Sequence, residues 1–152
     1  MSGRLRGDGG QVGGIEAIPF GLLIFVIGSL LIVNAWGVVD AKFATDAAAR
    51  QAARTFVEGE GLDGALSAAE EAALATISGH GRDPSRTTVD TVGSLAFERC
   101  ARVTFEVSYE VPTISLPFIG GYGSGPFHVR SSHTELVDPY RSGVPGEAEG
   151  CP

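Results

Sequence analysis

The chain has 152 residues, 43% of them hydrophobic and 19% charged, and a net charge of −7. That length suits a single domain, the apolar content excludes a disordered chain, and so acidic a surface excludes nucleic acid as a partner. The charge is unevenly placed: residues 1–16 sum to zero, residues 17–39 hold no ionisable group, and residues 40–152 carry the whole −7.

Residues 1–16 are rich in Gly and predict a flexible leader with no fold of its own. The run AIPFGLLIFVIGSLLIVNAWGVV (17–39) then reads as a transmembrane helix. At ~1.5 Å per residue it covers roughly 34 Å, enough for a hydrocarbon core of about 30 Å. Pro19 is tolerated in the first turn, and Trp36 suits an interfacial anchor near the far end. The run exceeds the usual h-region of a cleaved signal, and no A-x-A site follows it, so a retained anchor is expected. Arg4 and Arg6 on one side nearly balance Lys42, Arg50 and Arg54 on the other. The short leader and the location of both cysteines place the large carboxyl domain outside the cytoplasm, as a single-pass protein of the cell membrane.

Beyond Val39 the helix is expected to continue as an amphipathic one, with Trp36, Val39, Phe43 and Ala47 on one apolar face and Ala53 and Val57 extending it less cleanly. Gly59 and Gly61 stop it. A second helix is predicted from Asp63, as N-cap, to about Ser78, with Leu66, Ala69, Ala73 and Ile77 on one stripe. After Gly79 the period changes to two. Thr87, Val89 and Thr91 begin a short strand. Val103, Phe105, Val107, Tyr109 and Val111 alternate with Arg102, Thr104, Glu106, Ser108 and Glu110, the pattern of a strand with one buried face. Residues 112–126, rich in Pro and Gly, interrupt the pattern, and a last strand runs from about Phe127 to Val137. The expected fold is α+β: a transmembrane helix extended into an amphipathic helix, a second helix and an antiparallel sheet of about three strands. The divisions are a leader (1–16), a transmembrane helix (17–39), an exported α+β domain (40–139) and a mobile tail (140–152).

Few residues offer chemistry. Cys100 and Cys151 favour a disulfide in an exported domain, against two free thiols or an intermolecular bridge. Gly21, Gly28 and Ala35 share one helix face at a spacing of seven; they suit a helix–helix seam in lipid, though Gly is also simply tolerated there. Glu16, three residues before Pro19, reads first as an edge carboxylate near the helix's positive end. The functional alternative makes it the partner of a base on a neighbouring subunit. His80, His128 and His133 form no ligand or nucleophile motif, and no CxxC, HExxH or GxSxG occurs. Neither an enzyme nor a cofactor nor a metal site is expected.

GQVGGIEAIPFGLLIFVIG, the alanine-rich VVDAKFATDAAARQAAR and the closing HTELVDPYRSG together resemble the TadE-like pilus-assembly proteins, in particular actinobacterial ones. The resemblance covers most of the chain in layout, and the first two segments carry most of it. It implies a pilin-like fold and a minor pilin-like (pseudopilin) component of a tight-adherence secretion system. The implied partners are other pilin-like subunits, in homo- or hetero-oligomers, and the membrane assembly platform. It also implies leader cleavage after a glycine, for which Gly10 is the candidate, and an assembly role for Glu16. A cut after Gly10 makes Glu16 the sixth mature residue, where the family expects Glu at the fifth. A second reading, from another class, is a membrane-anchored extracytoplasmic binding module. Its contact surface would be the loop 112–126, with Phe118, Ile119 and Tyr122.

Overall fold

The computed structural model describes residues 17–112, 125–147 and 151. The leader, with Gly10 and Glu16, lies outside the described residues, as do positions 113–124 of the loop proposed as a contact surface. The chain divides into two compact units, Met1–Trp36 and Gly37–Pro152. Its elements are a helix α1 (Ala17–Glu58), a helix α2 (Leu62–Gly79), a 3-10 turn (Pro84–Arg86) and strands β1 (Thr87–Val92), β2 (Arg102–Val111) and β3 (Phe127–Leu136). The fold is α+β.

The first unit contains the opening 20 residues of α1. All of its large apolar side chains from Ile18 to Trp36 are described, and most stand exposed, Trp36 at 72%. The one amide side chain of this stretch turns inward on its own helix, Asn34 Nδ2 donating to the Leu30 carbonyl at 2.9 Å. A polar group satisfied within its helix is compatible with lipid.

The second unit is built on the remaining part of α1. Alanine-rich sequence keeps it helical, and it stops at Gly59 for a steric reason. A Cβ at Gly59 would lie 2.6 Å from the Ala65 Cβ, so the turn into α2 closes only without one. Gly61, at φ +73°, reverses the chain and is the N-cap of α2. Asp63 is therefore not the cap that the sequence suggested. It lies in the first helical turn, where its charge suits the helix dipole.

The sheet is an antiparallel meander in the order β1-β2-β3. Val107 of central β2 pairs with Val89 on one side and Ser131 on the other. Val103, Phe105, Val107, Tyr109 and Val111 are all buried, as their alternation required. They meet Ala65, Ala69, Ala73 and Ile77 of α2 and a face of α1 in one core. Phe56 sits at its centre, its ring 5.5 Å from those of both Phe97 and Phe105.

The buried face of α1 includes the expected Ala53, with Val57 packed against the core, but not Val39 or Phe43. Ala41, Ala44, Thr45, Ala48, Ala49, Ala52, Ala53 and Phe56 are buried, while Val39 and Phe43 are 46% and 66% exposed. The layers are close enough for two short hydroxyls, Thr45 Oγ1 and Ser131 Oγ, to meet at 2.8 Å. At that level small residues fill the interface, while Phe56, farther along the same face, fills the centre of the core.

The described part of the expected mobile tail is docked. Arg99 N donates to the Pro145 carbonyl at 2.8 Å, the Arg99 guanidinium donates to the carbonyls of Arg141 and Gly146, and Val144 is buried. Cys151 is bonded to Cys100, with 5.1 Å between their Cα atoms, which resolves the choice left open for the cysteines.

Candidate functional site

Three regions carry what the chain has to offer. The first is the opening stretch of α1. Its most apolar 18-residue window has a mean hydropathy of 2.5 and none of it is buried, so by length and composition this helix can cross a membrane. A soluble monomer rarely leaves so much contiguous apolar surface uncovered. Gly21 and Gly28 are spaced as read from the sequence, and a Cβ built on either meets nothing within 4 Å. The face they share with Ala35 is open among the described residues.

The second region is the stem end of the head, where the chain enters the second unit at Gly37. Arg82, from the loop after α2, donates Nη2–H to the Gly37 carbonyl at 2.9 Å and to Asp40 Oδ2 at 2.7 Å. Its guanidinium carbon also lies 5.1 Å from the centre of the buried Tyr109 ring, so the cation is held from three sides. The chain's one lysine is used in a similar way. Lys42 Nζ donates to the Arg130 carbonyl and, at 2.9 Å, to Ser131 Oγ. Thr45 Oγ1 donates to the Lys42 carbonyl, so Ser131 is the donor in its bond with Thr45. Each hydroxyl then gives one hydrogen bond and receives one, a closed network that pins α1 to β3.

The third region is the far end of the head. Arg141 Nη2 donates to the carbonyls of Glu58 and Gly59 at 2.7 and 2.6 Å, and the guanidinium faces the Phe97 ring. Asp138 Oδ1 accepts from Tyr140 N at 2.8 Å and sets the turn that aims Arg141 back. The sequence offered Cys100 and Cys151 here but not Arg141, whose partners are backbone carbonyls and leave no trace in a motif.

No family model matches the chain, and neither a curated protein nor a solved structure matches it.

Among the described residues no group of three or more His, Cys, Asp or Glu is placed to hold a metal ion. His133 Nε2 lies 3.2 Å from Glu135 Oε1, a pair along one strand. A shallow, open depression of about 470 Å³ runs along α2, lined by Ser67, Glu70, Glu71, Leu74, Ser78 and Pro84. Asp83 is held below the usual carboxylate range by the hydroxyl and the N–H of Ser85, with a smaller contribution from Arg86. Exposed Arg54 is raised by its bond to Glu58. Both are local surface arrangements.

Proposed function

We propose that this chain is a structural, minor pilin-like component of a tight-adherence pilus or related secretion apparatus. It is anchored by a single span in the cell membrane, with its acidic head outside the cytoplasm. The observation that carries the reading is the continuity of α1. One helix supplies both the uncovered apolar stem and, through its alanine face, the central wall of the head's core. A head built on its own anchor is suited to assembly by lateral packing of stems, since any subunit that packs by its stem brings its head along. The resemblance of three segments to TadE-like proteins points the same way, and the disulfide fits an oxidising compartment. Other pilin-like subunits and the assembly platform are the partners this role requires.

Gly21, Gly28 and Ala35 are the stem residues assigned to subunit contact, because small side chains let helix backbones approach in lipid. Gly28→Ile is expected to weaken association in a membrane two-hybrid assay severalfold while leaving the protein in the membrane fraction. Unchanged association would remove this face from the proposal.

A further inference from the structure

We propose that the stem end of the head is itself a lipid contact, so that the bilayer reaches past the uncharged run and covers the outer face of α1 as far as Phe43. This rests on the reading that the stem lies in a membrane.

The first two turns of α1 inside the head contain two ionisable groups, and both are engaged by the head. Asp40 is bonded to Arg82, and Lys42 reaches to the Arg130 carbonyl and the Ser131 hydroxyl of β3. Val39 and Phe43 remain exposed on the outer face. Asp46 and Arg50 form the next charged pair along α1, and they bond to each other rather than to the head. From Ala17 to Phe43 the helix therefore has no charged group that is not bonded to the head, although Asp40 stays half-exposed beside Val39 and Phe43. Those 27 residues cover ~40 Å at ~1.5 Å per residue, longer than a hydrocarbon core of about 30 Å and close to the ~40 Å of core plus interfacial layers.

The sheet adds a second element at the same end. A Cβ at Gly37 would sit 3.9 Å from Val111 Cγ1, and Val111 pairs with Phe127. Phe127 thus begins β3 at the level where the stem enters, and it is 52% exposed. Exposed phenyl rings at this level gain by leaving water for the acyl chains. The occupant is lipid and the attraction is apolar: a head with a surplus of acids gains nothing from an anionic surface.

The test uses the full chain, with its disulfide intact, in phosphatidylcholine vesicles. An environment-sensitive fluorophore is attached to a single added cysteine in Phe43→Cys, Phe127→Cys, Leu31→Cys or Arg54→Cys. Labels at 43 and 127 are expected to be quenched at least twofold more than the label at 54 by lipid carrying a nitroxide near the headgroup. The label at 31 is expected to respond most to a nitroxide deep in the chain. If 31 is quenched while 43 and 127 behave like 54, the head stands clear of the bilayer and the inference is overturned. If 31 is not quenched either, the stem reading itself has failed. A label at 43 shielded from aqueous iodide but untouched by nitroxide lipid would mean a protein covers it, which also overturns the inference.

Discussion

Arg141 shows how one side chain can finish a helix from 83 residues away. The last turn of α1 contains no basic residue, and its terminal carbonyls have no partners within the helix. A single guanidinium nitrogen, Nη2, supplies both N–H donors, and the group brings a positive charge to that negative end. Its own main-chain carbonyl accepts from the Arg99 guanidinium, so removing the Arg141 side chain loosens a clamp rather than a single contact. Arg141→Met retains the aliphatic stem and deletes both donors. It is expected to destabilise the head by about 1.5–3 kcal/mol, the range for hydrogen bonds that involve a charged group. Arg141→Lys should recover only part of this, because an ammonium lacks the planar guanidinium that faces the Phe97 ring. Urea unfolding of the full chain in detergent micelles, followed by near-ultraviolet circular dichroism, measures both. An unchanged midpoint in Arg141→Met would show the cap to be dispensable.

The helix α1 illustrates what a sequence states openly and what it conceals. Its length, its stop at Gly59 and the alternation of β2 were legible because each depends on local pattern: charge-free run, glycine, period of two. The face that α1 buries was legible only in part. Trp36, Val39 and Phe43 are larger and more apolar than any alanine, and in isolation they look like the core stripe. The buried stripe is instead chosen by tertiary packing, small residues from Ala41 to Ala53 where the layers approach closely and Phe56 at the centre of the core. The open seam of Gly21, Gly28 and Ala35 follows from spacing alone, whereas the Arg82 and Lys42 anchorages join residues 42 to 89 positions apart and have no local signature. This packing predicts an asymmetry between neighbouring positions. Ala52→Leu, at a fully buried site, is expected to cost about 1–3 kcal/mol through overpacking. Gln51→Leu, one residue away on the exposed face, should stay within about 0.5 kcal/mol. Equal costs from the same unfolding measurement would contradict the close contact between α1 and the sheet.

At the scale of the whole molecule, the two ends of the head are secured by different means. The stem end is held by Arg82 and Lys42 bonding across to α1 and β3. The far end gathers the last carbonyls of α1, the segment before β2 and the segment after β3, through Arg141, Arg99 and the disulfide. The chain from 137 to 147 owes its placement to this end: Val137 N donates to the Ala101 carbonyl, the Val137 carbonyl accepts from Cys100 N, and Val144 is buried. A domain of this size has little core to spare, so a covalent tie matters. Cys100 and Cys151 lie 51 positions apart, and closing a loop of that length contributes about 4 kcal/mol in the chain-entropy model. Measured values commonly fall to about 2–4 kcal/mol. Cys100→Ser with Cys151→Ser should therefore lower the unfolding free energy of the full chain in micelles by about 2–4 kcal/mol, and reduction of the native protein should do the same. The loss has a predicted location as well. Amides of residues 140–147 should exchange with deuterium faster than those of β2 by a wider margin than in the oxidised protein, because Arg99 and Arg141 then hold that segment without the covalent tie. A uniform acceleration across β2 and 140–147 would instead place the effect in the unfolded chain alone. No acceleration and no loss of stability would mean that the hydrogen-bonded clamp suffices and the disulfide is redundant.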